Sequence, residues 1–477
     1  MPLLLVVLPA LLGLASFYVR GARQALAILI ATSGLHLLAT GLLWFGPLRL
    51  APGPLWGLDP LGLLFLTTTS VIFFAAAIYT IPYLLRGTHD PAASPNRFVP
   101  YLLWFLSAMT LVTATRHLAL MWAAVEATTL ATAPLIFFYR RREALEAAWK
   151  YLLICSVGIA LALLGVFFIG IAASAAPGHP PALTVSGLSQ VAPTMSRPWL
   201  KAAFVLALVG YGTKMGLVPL HTWLPDAHSQ APSPVSALLS GALLNCAFLA
   251  VARFDQICLA SGDGAFARTL LTVLGFVSVA VATAFLVRQR DYKRLLAYSS
   301  VENMGMIALG VGLGGTGAYG ALLQALNHSV CKAGLFLLAG NVLREFATTD
   351  AGAVRGVWRR LPLSGGLLMA LLLAIGGAPP FGPFWSEFIV FRAAIGGPHP
   401  WLGVAFASLL AIAFLGMAST LLPMLHAGGT PEIPPRREQA LSTVTPLALA
   451  LLALALGVAI PPALTDVLRR AAATLGG

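Results

Sequence analysis

Two lysines lie inside apolar stretches of this sequence, where a charged side chain is costly. Lys214 lies in YGTKMGLVPLHTWLPDAHSQAPSPV, and Lys332 lies in ALNHSVCKAGLFLLAGNV. A charged group at the centre of a bilayer costs roughly 2.5–3.5 kcal/mol on insertion scales, so such residues usually serve a function. A buried lysine can lose its proton, whereas an arginine effectively cannot. We therefore predict that Lys214 loads and releases a proton; the alternative is a structural ion pair.

Two glutamates are candidate partners in this chemistry. Glu126 lies in LALMWAAVEATTLATAPLIFFY and would pair with Lys214. At an effective dielectric constant of about 20 and a separation of about 4 Å, such a pair is worth roughly 4 kcal/mol. Movement of Glu126 would then change the protonation state of Lys214. The alternative is a fixed ion pair that only links two helices. Glu387 lies at the end of GGAPPFGPFWSEF and is predicted to be an exit-side acid; the alternative is a helix N-terminal carboxylate favoured by the dipole.

A third polar group surrounds Lys332. His328 precedes it by four residues, so both side chains share one helix face. Two basic groups this close make each other harder to protonate, which suits proton passage near neutral pH. Glu302 and Asn303 lie in YSSVENMGM. They either extend the row of polar residues that would carry protons or link two helices by hydrogen bonds.

Further titratable residues follow the proline that breaks the Lys214 helix. His221, Asp226 and His228 come directly after Pro219. We predict a hydrated polar turn that conducts protons or contacts a neighbour, because a zinc site would need a fourth ligand that is not evident. Lys150 either extends its amine to the membrane surface or takes part in the relay.

Composition sets the class of protein that positions these residues. Of the 477 residues, 58% are hydrophobic and only 9% are charged, against about 25% charged residues in soluble domains. We predict an all-α integral membrane protein, because about 14 apolar runs are long enough to span a bilayer. The runs are 2–19, 26–46, 60–85, 99–115, 117–139, 149–173, 199–219, 235–255, 266–287, 295–313, 318–343, 363–393, 401–426 and 441–463.

The net charge of +13 has a distribution typical of membrane insertion rather than of nucleic-acid binding. With about 14 spans, alternate loops fall on opposite sides. Of the 29 lysines and arginines, 18 then lie on one side and nine on the other, and Lys214 and Lys332 remain within spans. Positive loops face the cytoplasm, so both termini are predicted to be non-cytoplasmic.

The spans can be arranged as two sets of five, helices 4–8 and helices 9–13. The fourth helix of each set is broken by proline: helix 7 at Pro219, and helix 12 at Pro379, Pro380 and Pro383. An odd number of helices per set predicts inverted repeats, whose sites lie at the breaks. Within one integral membrane domain, 1–477, we predict N-terminal helices in 1–98, repeats in 99–255 and 266–426, and a C-terminal helix and tail in 441–477.

The sequence gives no support for a cofactor of its own. Its four cysteines are scattered and form no CxxC motif, which argues against disulfide, iron–sulfur and zinc sites. It contains no phosphate-binding GxxxxGK[ST] motif, no dinucleotide-binding pattern and no nucleophile elbow. We therefore expect an ion gradient or a partner to supply the energy.

Several motifs resemble one membrane protein superfamily. They are KMGLVPLHTWLPDAHSQAPSPVSALLSG, DYKRLLAYSSVENMGMIALG, VEATTLATAPL, LNHSVCKAGLFLLAGNVL and APPFGPFWSEF. They look like the antiporter-like proton-pumping subunits of respiratory complex I, Mrp-type sodium/proton antiporters and membrane-bound hydrogenases. Within this superfamily, the chain most resembles hydrogenase-4 component F.

The resemblance implies a mid-membrane proton relay. Its members would be the acid of the fifth helix, the central lysine, the polar pair of the eleventh helix and the acid of the twelfth, here Glu126, Lys214, His328, Lys332 and Glu387. The family commonly has a bridging lysine in the eighth helix, where this chain has Asn245 in SGALLNCAFLAV. Asparagine holds water but carries no proton charge, so water at Asn245 would complete the relay.

The resemblance also implies partners and a location. We expect partners in the form of other membrane subunits and a peripheral redox module of hydrogenase type. We expect the complex to lie in the inner membrane of a prokaryote and to bind no nucleic acid. One alternative is a sodium/proton antiporter subunit of an Mrp-type complex. Another is a membrane anchor that pumps nothing and holds a redox partner, an interpretation that Asn245 favours.

Overall fold

Helices form the regular secondary structure of the described residues. The computed structural model describes residues 2–45, 55–86, 94–174, 182–426 and 436–477. These ranges contain isolated β-bridges but no β-strand. The α-helices are α1 (Pro2–Ser16), α2 (Ala22–Phe45), α3 (Pro60–Arg86), α4 (Pro95–Ala114), α5 (Leu118–Ile136), α6 (Arg142–Ser174), α7 (Val185–Val191), α8 (Arg197–Met215), α9 (Trp223–Gln230), α10 (Ser233–Leu238), α11 (Leu244–Ser261), α12 (Gly264–Leu286), α13 (Tyr292–Leu313), α14 (Thr316–Phe346), α15 (Val357–Arg360), α16 (Pro362–Ile375), α17 (Gly382–Ile395), α18 (Trp401–His426), α19 (Ala440–Val458) and α20 (Pro462–Ala473).

Ten segments within the described ranges are long and apolar enough to cross a membrane. They are α2 to α6, α12, α14, α18, α19 and the stretch Ser233–Ser261, which joins α10 to α11 through a π-helical turn at Leu239–Leu243. Helices α1 and α16 are apolar but shorter. The prediction of an all-α, multi-pass membrane protein is therefore confirmed. The other predicted spans lie on α8, α13 and the α16–α17 pair.

Two of the apolar segments form the centre of the bundle. Within their most apolar windows, Ser233–Ser261 is 100% buried and α14 is 94% buried, whereas α2, α6, α12 and α18 are each 39% buried. The central segments carry Asn245, His328 and Lys332, and all three side chains are buried. Placing polar residues on central helices keeps them away from lipid, where they would be most costly.

The first predicted helix break is present after Lys214. Helix α8 ends at Met215, and Gly216 adopts the left-handed conformation (φ 86°) that favours glycine. The N–H of Leu217 then donates to the Gly212 carbonyl at 2.8 Å. Pro219 lies in the turn that leads to α9. Lys214 therefore occupies the last turn of α8, where the helix dipole favours a cation.

The second predicted break separates α16 from α17. Helix α16 ends at Ile375 and α17 begins at Gly382, so Pro379 and Pro380 lie in the connecting turn. Pro383 lies in the first turn of α17, where a missing N–H costs no intrahelical bond. The long helix α14 packs against both halves and so brings the break beside its buried polar residues.

Candidate functional site

Lys214 and Glu126 are joined through a hydroxyl group. Lys214 is completely buried, and its Nζ donates to Thr129 Oγ1 and, at 3.4 Å, to the Val125 carbonyl. Thr129 Oγ1 in turn donates to Glu126 Oε2 at 3.1 Å. The expected direct pair is not formed, since no ion pair within 4.0 Å joins the two among the described residues. One turn of α5 separates Glu126 from Thr129, which places the hydroxyl between the two charges.

Glu126 faces the flank of the bundle rather than its centre. Its side chain is half-buried, and Ser156 Oγ on α6 donates to Glu126 Oε1 at 3.3 Å. On the inner side, Lys214 Nζ lies 5.3 Å from the ring centroid of Tyr151, a cation–π distance. The Tyr151 hydroxyl is 2.7 Å from Thr132 Oγ1. Sequence reasoning missed Thr129 and Tyr151, although polar residues in an apolar helix are the signal that could have found them.

Asn245 links α11 to α14. Its Nδ2 donates to Ser329 Oγ at 2.7 Å, with longer contacts to the Gly241 and Ala325 carbonyls at 3.4 and 3.5 Å. Its Oδ1 is buried and has no hydrogen-bond partner among the described residues. Ser329 directly follows His328, so the predicted neighbourhood of Asn245 and the α14 pair is present. The free carbonyl oxygen can accept one more hydrogen bond, as from a water molecule.

The α14 pair contacts α13 and the π-helical turn. Lys332 Nζ donates to the Leu296 carbonyl at 2.9 Å, and His328 Nε2 lies 3.5 Å from Ser240 Oγ. Ser240 Oγ is 2.8 Å from Ser300 Oγ on α13. Glu302 is buried and accepts a long hydrogen bond, 3.5 Å, from Ser299. Within the part of the chain described, no ion pair of 4.0 Å or less compensates Lys332.

A chain of amides and a serine continues from α13 to α17. Gln324 Nε2 donates to Asn303 Oδ1 at 2.5 Å, and Gln324 Oε1 accepts from Ser386 Oγ. Asn327 Nδ2 donates to the same serine oxygen at 3.0 Å. All four side chains are buried. Gln324, Asn327 and Ser386 were not predicted, because neutral residues carry no charge to mark them in an apolar run.

Glu387 follows this chain and lies against the second helix break. Its Oε2 occupies the space beside Gly377, where an added Cβ would collide with it. Gly377 has φ 73°, so this turn also needs glycine for its backbone. Glu387 is the sixth residue of α17, beyond the first turn. The alternative that the helix dipole alone favours Glu387 therefore loses its main support, since that effect is confined to the first turn.

The residues predicted after Pro219 do not form one cluster. Asp226 Oδ1 accepts from Arg294 Nη1 at 2.6 Å, and its Oδ2 accepts from Lys150 Nζ at 3.2 Å. The Lys150 side chain is 47% exposed and also pairs with Glu146, which favours the surface interpretation of this lysine. In the described ranges, no group of three His, Cys, Asp or Glu side chains is arranged to hold a metal ion.

The two histidines of this segment have aromatic surroundings. His228 is buried and stacks on Phe336, with ring centroids 4.6 Å apart. His221 lies beside the stacked rings of Phe285 and Tyr298, at centroid distances of 6.4 and 6.2 Å. Neither ring nitrogen of His228 has a hydrogen-bond partner among the described residues. These contacts hold both rings in place without joining them to Asp226.

The polar residues thus form four hydrogen-bonded groups. The first contains Glu126, Thr129 and Lys214, and the second joins Asn245 to Ser329. The third links His328 and Lys332 through Ser240, Ser300 and the Leu296 carbonyl, and the fourth runs from Asn303 through Gln324 to Ser386, beside Glu387. Two of these groups contain titratable side chains, and the other two are neutral. Such an arrangement can hold and pass protons between charged sites.

Comparison with known proteins identifies the family. The family model described as "NADH:quinone oxidoreductase/Mrp antiporter, TM" matches residues 115–414. The chain belongs to this family. A hydrogenase-4 component F homolog from Methylacidiphilum infernorum is 35% identical over 87% of each chain. The NADH-quinone oxidoreductase subunit N of Desulforudis audaxviator is 31% identical over 86% of this chain and 83% of that protein.

The fold of this chain also matches the fold of a chain in a solved structure. A chain of the membrane-bound sulfane sulfur reductase, an archaeal respiratory membrane complex, superposes with a TM-score of 0.89 at 23% identity, over 100% of this chain and 97% of that one. The region matched by the family model includes every predicted relay residue from Glu126 to Glu387. This protein is therefore an antiporter-like membrane subunit of the complex I, Mrp and hydrogenase superfamily.

Proposed function

We propose that this subunit moves protons along a relay of Glu126, Lys214, Asn245, His328, Lys332 and Glu387 within a redox-driven membrane complex. The observation that carries the proposal is the pair of completely buried lysines, Lys214 and Lys332. Each has hydroxyl or carbonyl partners, and neither has a carboxylate within 4.0 Å among the described residues. A buried lysine held in this way can exist in either protonation state.

The first step couples Glu126 to Lys214 through Thr129. A threonine hydroxyl can accept a hydrogen bond from the ammonium group while it donates one to the carboxylate. When Glu126 is charged, it stabilises the charged lysine through this bridge; when it is protonated or displaced, the lysine loses that support. The charge state of Glu126 therefore controls how easily Lys214 releases its proton.

The next steps pass through Asn245 and the α14 pair. Asn245 binds Ser329 with its amide and keeps its Oδ1 available for a water molecule. Ser240 and Ser300 supply hydroxyl groups beside His328. Lys332 then receives the proton, with Glu302 as the acid on the neighbouring helix. The Asn303–Gln324–Ser386 chain leads toward Glu387, which governs release.

The architecture that we propose for this relay has about 14 spans in one membrane domain, 1–477. Over the described residues, each predicted apolar run falls mainly on one helix or on two consecutive helices, and the two breaks occur at the end of α8 and between α16 and α17. This correspondence supports inverted repeats over 99–255 and 266–426. The excess of basic residues on one side supports non-cytoplasmic termini in a prokaryotic inner membrane.

We further propose that other membrane subunits cover the Glu126 flank. Glu126 is half-buried and its partner Ser156 is exposed, so both would otherwise meet lipid. Beside them, α5 and α6 form an apolar groove of about 400 Å³ that includes Leu130, Phe137 and Trp149. The carboxylate fits a protein neighbour better than hydrocarbon, and the groove beside it offers an apolar surface on which such a neighbour can pack. A peripheral redox module would drive the complex, and this chain would need no cofactor.

Two other functions have a specific observation in their favour. The family description includes Mrp antiporters, which favours a sodium/proton antiporter subunit as an alternative. Asn245, which cannot carry a proton charge, favours a membrane anchor that pumps nothing. The hydrogenase-type assignment is supported by the similarity to a hydrogenase-4 component F homolog.

The decisive experiment replaces Lys214 in the assembled complex. Lys214→Met should abolish redox-driven acidification or alkalinisation of proteoliposomes, measured with a pH-sensitive dye, while the complex stays assembled. Lys201→Met is the matched control, because this lysine is 41% exposed and pairs with Asp263. Unchanged proton movement in the Lys214 variant would favour the anchor, and sodium uptake driven by an imposed pH gradient without redox turnover would favour the antiporter.

A further inference from the structure

A cavity on the basic side of the bundle lies away from the relay. It has a volume of about 630 Å³ and opens among the ends of α3, α9, α13 and α14. Its wall contains Arg141, Lys293 and Arg344 but no aspartate or glutamate among the described residues. None of the three cations forms an ion pair within 4.0 Å in that part of the chain.

Lys293 is the innermost cation of this wall. It is 1% exposed, and its Nζ donates to the Ser229 and Ala231 carbonyls at 3.0 and 2.7 Å. An ammonium group has three N–H donors, so one remains for another partner. The adjacent acid, Asp291, is engaged by the hydroxyls of Ser229 and Thr349 at 2.9 and 2.6 Å. Asp291 is therefore a nearby negative charge, but it forms no ion pair with Lys293 within 4.0 Å among the described residues.

The two arginine side chains of the wall also lack an ion-paired carboxylate among the described residues. Among the described residues, the side-chain contacts of Arg344 are long, 3.4 Å to Gln439 Oε1 and 3.3 Å to Ser442 Oγ. The neighbouring Glu345 is occupied by Arg360 and Arg436. The Arg141 guanidinium carbon lies 5.6 Å from the Tyr139 ring centroid. Two guanidinium groups and one ammonium thus line the same space, and none of them is ion-paired within the described residues.

We propose that this cavity binds a phosphate group, with Arg141, Lys293 and Arg344 as its ligands. Guanidinium groups match phosphate oxygens with paired N–H donors, and the lysine adds a compact charge. Basic pockets between membrane helices are typical sites for lipid headgroups. The Leu343 and Ala347 side chains supply apolar wall beside the cations. The ligand is a phosphate ester of an anionic lipid or a soluble phosphate, and both share this recognition chemistry.

The test compares the purified full-length protein with a double variant, Arg141→Gln/Arg344→Gln. Binding is followed by native mass spectrometry and by thermal unfolding, with phosphatidylglycerol in mixed micelles or with inorganic phosphate. Each interfacial cation contributes roughly 1 kcal/mol, so losing two should weaken binding about 25-fold. Arg359→Gln is the control, since Arg359 is exposed on the same basic side and lies outside the cavity wall.

The outcomes separate the sources of the ligand. Stabilisation by phosphatidylglycerol and not by phosphate, lost in the double variant and kept in the control, identifies a lipid headgroup. Stabilisation by inorganic phosphate with the same pattern identifies a soluble phosphate. If neither probe stabilises the wild type, or if the double variant and the control bind equally well, the site does not exist. Lys293→Gln should weaken binding in the same direction and checks the inner ligand separately.

Discussion

Glu126 and Lys214 share a single threonine hydroxyl instead of touching each other. Thr129 Oγ1 donates to the carboxylate at 3.1 Å and accepts from the ammonium group. A direct pair of this kind would hold both charges together and resist proton release. In the relay that we propose, the intervening hydroxyl weakens the attraction and would give the proton a defined path. The burial of both charges in apolar runs suggested the pair but could not reveal the bridge.

The first prediction removes that bridge with little change in shape. Thr129→Val should lower the rate of proton translocation by roughly 10- to 100-fold, because a hydrogen bond to a charged group is worth about 1.5–3 kcal/mol. Thr129→Ser should retain most of the rate, since it keeps the hydroxyl. The measurement is dye-detected proton movement by the complex in proteoliposomes. Thr80→Val on α3 is the control, as Thr80 is buried and donates to the Ala76 carbonyl; equal losses in both valine variants would contradict the bridge.

The second prediction concerns the amide that replaces a charged residue. Asn245→Leu keeps the volume nearly constant but removes the 2.7 Å bond to Ser329 and the free Oδ1. Proton movement should fall at least tenfold while the complex still assembles. Asn341→Leu is the matched control: this buried amide binds Tyr79 and Ser364, outside the relay. It should cost stability and leave proton movement per assembled complex unchanged. A functional Asn245→Leu variant would remove Asn245 from the relay.

Charged residues made much of the site predictable. Lys214, Lys332 and the two helix breaks stand out in an apolar sequence because burial of charge and proline within a span are both costly. Glu387 was placed after its break for the same reason. These signals depend on residue type alone, so one sequence is enough to find them. The helical, multi-pass fold follows from the same apolar runs.

Neutral partners could not be predicted in this way. Gln324 and Ser386 join α14 to α17, but each is an ordinary residue in its own segment, and only the packing brings them together. The direct Glu126–Lys214 pair failed because contact distance depends on helix rotation, which periodicity does not fix. His221 and His228 were expected near Asp226; the turn after Gly216 instead directs them to aromatic rings. Tertiary packing decided each of these outcomes.

The third prediction tests the connection to the exit-side acid. Ser386→Ala removes the hydroxyl that contacts both Gln324 and Asn327. The two buried amides would each lose a partner, so thermal stability should fall by about 1–3 kcal/mol and proton movement should slow. Ser408→Ala on α18 is the control, because Ser408 is exposed and donates only to a backbone carbonyl. A loss of thermal stability without slowed proton movement would show that the serine is structural only.

The last prediction concerns an ion pair outside the relay that fastens α3 to α11. Asp59 accepts from both terminal nitrogens of Arg253, whose side chain is completely buried. Burial opposes ionisation of Asp59, but the Arg253 charge outweighs it and lowers the pKa of the carboxyl from 3.8 to about 2. The pair therefore contributes full stability above pH 4, and this contribution is lost as the pH falls toward 2.

Asp59→Asn should cost about 3–5 kcal/mol at pH 7, because it leaves the buried Arg253 charge without its counter-charge. Thermal unfolding of wild type and variant from pH 7 to pH 3 measures the difference, which should shrink below pH 4. Asp466→Asn is the control, since this exposed acid forms only an i,i+4 pair with Arg470 and should change stability by less than about 1 kcal/mol. A difference between wild type and Asp59→Asn that stays constant as the pH falls would mean that Asp59 does not titrate with the pair. Proton movement by the assembled Asp59 variant should remain normal, because neither residue belongs to the relay.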